Sequence, residues 1–132
     1  MQKYTADFAL IAGGSEVDLF SLRHWSEQTG ADIFAADGGI IPVLNAWLTC
    51  RAVIGDMDSI PADFVQMHAE QTSVHAVSEQ DTTDLEKLLH RLDCRKILGF
   101  GFMDGQFDHA LSVLGILARY ADTAHIVMVG AR

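Results

Sequence analysis

Phe8-Ala9-Leu10-Ile11-Ala12-Gly13-Gly14-Ser15 begins with five apolar residues and breaks into two glycines and a serine. The apolar run does not alternate with polar residues. Continuous runs suit strands covered on both faces, which is the situation of a parallel sheet. The same phrase returns along the chain. Ile33–Ala36 leads into Asp37-Gly38-Gly39, and Ala52–Ile54 into Gly55-Asp56-Met57-Asp58-Ser59. Val74–Val77 leads into an acidic stretch ending at Thr83-Asp84, and Ile97–Phe100 into Gly101–His109; Ile126–Val129 is the last such run.

Helical patterns fill the intervals. Asp18–Thr29 carries Leu19, Leu22 and Trp25 and stops at Gly30, with Ser15 and Asp18 spaced as a capping box. Ile40–Trp47 is short, and Pro61–Gln71 starts with proline in a first-turn position. Thr83–Leu92 places Leu85, Leu88, Leu89 and Leu92 on one stripe, with Thr83 and Glu86 as a second capping box. Phe107–Tyr120 offers Ala110, Leu111, Leu114 and Leu117 as its apolar stripe. Strand and helix alternating through six strands predict an α/β fold: an open, doubly wound, mostly parallel sheet with helices on both faces, Rossmann-like. The pattern leaves the strand order open. No linker, repeat or low-complexity tract divides residues 1–132, so they read as one domain.

Composition narrows the function classes. The 132 residues are 49% apolar and 20% charged with 2 prolines, which excludes a disordered or collagen-like chain. The net charge of −9 argues against nucleic acid or an anionic membrane as a partner. Apolar runs fall well short of the roughly 20 residues that a spanning helix needs, and no basic-then-apolar leader opens the chain. Cys50 and Cys94 form no C-x-x-C pair and read as buried free thiols of a cytoplasmic protein.

In a doubly wound sheet, ligands bind beyond the carboxyl ends of the strands. Eight of the 18 acids fall there: Asp37, Asp56, Asp58, Glu79, Asp81, Asp84, Asp104 and Asp108. One helix needs one cap, so capping accounts for single acids such as Asp18 and Asp63 but not for loops holding two or three. Like charges along one edge repel and raise one another's pKa. Lys87 is the basic residue near that edge, so a hard cation is the natural compensation. Asp56 and Asp58, two apart after a strand with Gly55 before them, let two carboxylates converge. Mg²⁺ typically takes one or two carboxylates and shares its remaining positions with water and substrate phosphates. Asp84 in a first helical turn, with Lys87 one turn on, pairs a metal ligand with a phosphate-seeking ammonium. Gly13-Gly14-Ser15 fits a phosphate cradle or a plain strand-to-helix turn. His24, His68, His75, His90 and His125 show no metal-ligand spacing and read as surface or interfacial; His109 stands apart because it follows Asp108 in an acid-rich tip.

Four segments in order resemble the motifs of the thiamin pyrophosphokinase family: Ala36-Asp37-Gly38-Gly39; Gly55-Asp56-Met57-Asp58-Ser59; Gln80-Asp81-Thr82-Thr83-Asp84-Leu85 with Lys87; and Gly105-Gln106-Phe107-Asp108-His109-Ala110-Leu111. The resemblance runs from about residue 6 to the end. It implies pyrophosphoryl transfer from ATP to thiamin, giving AMP and thiamin diphosphate, Mg²⁺ dependence, a homodimer, and a catalytic α/β domain whose companion β-sandwich is absent from this chain. By the same resemblance Asp56, Asp58 and Asp84 are the expected metal ligands, and these with Asp108 the catalytic carboxylates. The expected nucleotide-side residues are Asp37, Gly38, Gly39, Gln80, Thr83, Lys87, Gln106 and His109. Asp84 and Asp108 are the two candidates to take the proton of the attacking hydroxyl. Gln106 stands where the family usually has arginine, which forfeits a bidentate phosphate contact. Three rivals share parts of the pattern. A pterin pyrophosphokinase of related fold would use the same carboxylates. A haloacid-dehalogenase-type phosphatase wants threonine or valine where Ile60 stands. A nucleotide-binding module without activity of its own would fit Gln106.

Overall fold

The strands are β1 (Tyr4–Ala12), β2 (Asp32–Ala36), β3 (Ala52–Gly55), β4 (Ser73–Ala76), β5 (Leu92–Phe100) and β6 (His125–Val129). The helices are α1 (Leu19–Thr29), α2 (Ile40–Asn45), α3 (Asp84–Leu89) and α4 (Phe107–Tyr120). This computed structural model describes residues 3–56, 63–64, 71–77, 83–103 and 107–131. The helix expected over 61–71 lies largely outside the described residues, although Phe64 within it is buried.

Every strand pair is parallel, and the order is β4-β3-β2-β1-β5-β6. The chain steps outward from β1 to β4, then returns past β1 to lay down β5 and β6. A constant crossover hand demands that the covering helices change face at that reversal, and they do. Leu22 of α1 and Ile40 and Val43 of α2 pack on Leu10, Ala12, Ala35, Val53 and Phe100. On the opposite face, Leu85, Leu88 and Leu89 of α3 and Val113 and Ile116 of α4 pack on Ala9, Ile11, Phe34, Ile54 and Ile97. The switch point lies between β1 and β5, whose backbones pair from Tyr4 with Leu92 to Ala12 with Phe100, interrupted at Asp7 and Arg95.

Several boundaries differ from the sequence expectation, each for a physical reason. β1 and β5 are longer than their apolar runs. Tyr4, Leu92 and Cys94 face the same core as Ala9, Ile11 and Ile97, so both strands shift phase by one residue near Asp7 and Arg95. That shift hides the period-2 pattern. Leu92 therefore opens β5 and is not the last rung of a helix. Asp18 alone caps α1, its carboxylate accepting from the Phe20 and Ser21 amides at 3.0 and 3.4 Å, so Ser15 takes no part in a box. α2 stops at Asn45, and Trp47 sits in the left-handed region at φ 60°. The buried stripe of α4 is Val113 and Ile116, while Leu111 and Leu114 are about half exposed. That helix is apolar nearly all round, so periodicity alone could not choose its inner face.

The carboxyl edge of the sheet is crowded with backbone. A Cβ on Gly39 would lie 1.9 Å from the Ala12 carbonyl oxygen, and one on Gly55 would lie 2.7 Å from Cβ of Asp37. Gly39→Ala therefore forces main chain apart, and we expect it to destabilise by at least ~3 kcal/mol or to leave the protein insoluble. Gly115, inside α4 with open space around it, gives the contrast: Gly115→Ala should stabilise by roughly 0.5–1 kcal/mol. Urea unfolding of both variants checks the pair.

Candidate functional site

Beyond the carboxyl ends of β1, β3 and β5, on the face covered by α3 and α4, lies a cleft of about 400 Å³. Its lining brings together Ser15 after β1, Asp56 after β3, Thr83, Asp84 and Lys87 of the α3 start, Phe102 after β5, and His109 of α4.

Local structure explains each placement. The tip of β1 is pinned to β5: the Gly13 amide donates to the Phe100 carbonyl at 2.7 Å and the Ser15 amide to Gly101 at 2.9 Å. Two of the three amides of Gly13-Gly14-Ser15 are thus spent inside the fold, which favours the plain-turn reading over a phosphate cradle. Gly101 adopts φ 80°, and a Cβ there would press on Val17 and the Gly13 carbonyl. Thr83 caps α3 by accepting from the Glu86 amide at 3.3 Å, the half of the capping box that forms. The cap sets Asp84 at the first helical position and Lys87 one turn later. Lys87 is 5% exposed, unusual for a lysine unless a partner compensates its charge.

The electrostatics of the cleft are written in Asp84. Partial burial of its carboxyl, the largest cause, pushes its pKa above the ordinary value; Lys87 opposes that rise, Asp56 adds to it, and His109 opposes it. Asp56, Asp84, Lys87 and His109 therefore interact electrostatically. A carboxyl that resists ionisation beside a second carboxylate fits a site completed by a cation. Among the described residues no group of three or more His, Cys, Asp or Glu is placed to hold a metal ion.

The other expected site residues divide. Asp37, Gly38 and Gly39 form a 3-10 turn that does not line the cleft. Asp37 is buried at φ 46°, a left-handed conformation costing on the order of 1 kcal/mol, and its Cβ fills the space that Gly55 leaves. Asp108 is exposed and does not line the cleft; its neighbour His109 does. Asp58, Gln80 and Gln106 lie outside the described residues. Phe102, which the sequence reading gave no role, lines the cleft with Ser15 of the Gly13-Gly14-Ser15 turn, and their position just past strands flanking the switch point is the signal that finds them. Cys50 and Cys94 are buried and unpaired as expected, with burial pushing the Cys50 thiol up to about 12. A second cavity of about 430 Å³, at the amino ends of β1 and β5, holds a single carboxylate, Asp93, and no pair that a cation could bridge.

Residues 25–129 match the family model described as thiamin pyrophosphokinase, catalytic domain. Thiamine pyrophosphokinase 1 of Arabidopsis thaliana is 32% identical over 85 residues, which cover 56% of this chain and 32% of that protein. The solved thiamin pyrophosphokinase of Geobacillus thermodenitrificans superposes with a TM-score of 0.69 at 27% identity, over 92% of this chain and 59% of the other. The Candida albicans enzyme superposes at 0.76 and 15% identity, over 98% and 62%, a likeness of fold alone. The match spans about a third of the curated relatives' length. The chain belongs to the thiamin pyrophosphokinase catalytic-domain family. No helix among the described residues is long and apolar enough to cross a membrane.

The raised Asp84 pKa has a pH signature. Above about 3.8, its ordinary value, the unfolded carboxyl ionises more readily than the folded one. The folded state then binds more protons, and Asp84's contribution to stability falls as pH rises through that window. Asp84→Asn removes this penalty. Thermal melts should show the variant more stable than the parent at pH 7, with the gain gone at pH 3.

Proposed function

We propose that this member of the family transfers a pyrophosphoryl group from ATP to the hydroxyl of thiamin, releasing AMP. The observation that carries this reading is the convergence of Asp56, Asp84 and Lys87 in one cleft at the switch point of the sheet. A nucleotide polyphosphate needs opposed charges there: ammonium for its oxygens, and carboxylates for the cation it brings. The likeness to thiamin pyrophosphokinases supplies the acceptor.

In this reading Asp56 and Asp84, joined by Asp58 on sequence grounds, hold Mg²⁺, which when bound would draw charge from the transferring phosphates. Lys87 neutralises phosphate oxygens from a position fixed by α3, and its burial keeps that charge from being screened by water. Of the two carboxylates weighed as proton acceptor, Asp84 lines the cleft and Asp108 does not, so the geometry favours Asp84. His109 on α4 faces the same space and is a further donor for phosphate. Catalysis of this kind is chiefly positioning and charge stabilisation. A homodimer, which rests on the family resemblance, and a cytoplasmic location, which rests on the unpaired Cys50 and Cys94, belong to the same reading.

Calorimetric titration of a non-hydrolysable ATP analogue, with and without Mg²⁺, tests it. Binding should require Mg²⁺ and weaken by at least about tenfold (~1.4 kcal/mol) in both Asp56→Asn and Lys87→Ala. Binding that is indifferent to Mg²⁺ and to both substitutions defeats the reading. A substrate panel read by AMP release separates thiamin from a pterin alcohol.

A further inference from the structure

His75 of β4, paired with Ile54 of β3 and so level with the residue two before Asp56, joins two elements. Its Nε2 lies 2.6 Å from Tyr4 Oη of β1, and its Nδ1 lies 3.2 Å from Arg91 Nη1 in the turn between α3 and β5. A guanidinium only donates, so Nδ1 must present its lone pair. The imidazole is therefore neutral, with its proton on Nε2, donated to Tyr4 Oη. A proton on Nδ1 would set two cationic donors against each other. The groups facing this cluster are few. Arg51, before β3, stacks on the Tyr4 ring at 5.0 Å and pairs with Asp32 of β2 at 2.7 Å; Phe34 of β2 packs against Tyr4 with the rings tilted by 58°. No acid among these faces His75 to favour its cationic form.

The consequence concerns α3. His75 and Arg91 bracket the chain segment that contains α3, with Asp84 and Lys87 on it. Six residues are too few to hold a helix by propensity. Its amino end is held by the Thr83 cap and its body by Leu85, Leu88 and Leu89 in the core. The Arg91–His75 bond closes the other end.

We propose that neutral His75 is a positioning residue that latches the carboxyl end of α3 through Arg91, and that protonating it releases the latch and disorders the cleft. The proposal deepens the functional reading above but is tested independently of it. Burial, first, and Arg91, second, hold the His75 pKa below its ordinary 6.5. The sign follows: the latch is complete above pH 6.5 and lost as pH falls through the folded pKa. A released imidazole with a pKa near 6.5 is mostly protonated at pH 5.5, which multiplies the open population by up to about tenfold over that at pH 7.5.

Amide hydrogen exchange of the intact chain reads this directly. After correction for intrinsic chemistry, protection of the Lys87, His90 and Arg91 amides, hydrogen-bonded in α3 and the turn that closes it, should fall measurably and by up to about tenfold from pH 7.5 to 5.5. In His75→Asn the amide oxygen can accept from Arg91 but does not titrate, and the pH-dependent loss should vanish. Protection that is independent of pH in the parent, or the same loss in His75→Asn, overturns the latch. Should that variant not fold, imidazole NMR of the parent decides: a midpoint below 6.5 with bare Nδ1 supports the latch, and a midpoint at or above 6.5 ends it. Titrating the Mg²⁺–ATP analogue at both pH values keeps the two readings apart. A pH-dependent α3 without any nucleotide binding leaves the latch standing and removes the function; binding with pH-independent α3 does the reverse.

Discussion

The ends of β1, β3 and β5 meet the turn after β2 with main chain against main chain, and no Cβ fits between them. Gly39 lies on the Ala12 carbonyl, Gly55 on Asp37, and Gly13 and Gly101 on each other. Two hydrogen bonds from the β1 tip to β5 close the arrangement. Such contacts fix where the strands stop to within tenths of an ångström, because backbone cannot rotate out of the way as a side chain can. Everything at the cleft is hung on those stops: Ser15 and Phe102 flank the switch point, Asp56 projects past β3, and α3 and α4 start on the face left open by the reversal of the chain.

The charge on this edge is arranged against stability. Lys87 is buried and Asp84 is partly desolvated, and the pair does not balance, since burial raises the Asp84 pKa more than Lys87 lowers it. A structure selected only to fold would put apolar residues here, because buried ion pairs are commonly no better than well-packed hydrophobes. The imbalance is what a site looks like when part of its charge arrives with the ligand. The rest of the molecule tolerates it because each face of the sheet carries its own buried core.

What the sequence disclosed followed from how strongly local signals were coupled to burial. The parallel sheet was legible because runs such as Leu10–Ala12 and Ala52–Ile54 are covered on both faces, and burial on both faces leaves no alternation to misread. α4 was legible to its ends, yet its inner face was not. Leu111 and Leu114 are as apolar as Val113 and Ile116, and only packing against α3 and β5 separates them. The same blind spot hid which of two neighbours on α4 lines the cleft. Asp108 and His109 are adjacent in sequence but about 100° apart around the helix, and His109 lies on the turn before Val113, so it is His109 that reaches the cleft. The early halves of β1 and β5 stayed hidden because both strands slip phase together, a tertiary agreement with no local marker. His75 could not be distinguished from any other scattered histidine, since its partners Tyr4 and Arg91 come near it only through the strand order.

The most exposed part of this design is α3. It carries an acid and a base of the cleft on six residues, less than two turns, which in isolation would not persist. Its accuracy is borrowed from four directions: the Thr83 hydroxyl at its start, three leucines on the sheet, the Glu86–Arg119 ion pair to α4 at 3.0 Å, and the Arg91–His75 bond beyond its end. The ion pair is solvent-facing on the arginine side and contributes little by itself. The leucines fix which face lies down but permit sliding along the axis. The polar contacts at the two ends oppose that slide, and a shift of about 1.5 Å, one residue's rise, would carry Asp84 and Lys87 out of register with Asp56. The chemistry of this edge therefore depends on a histidine of the outermost strand β4 retaining a lone pair.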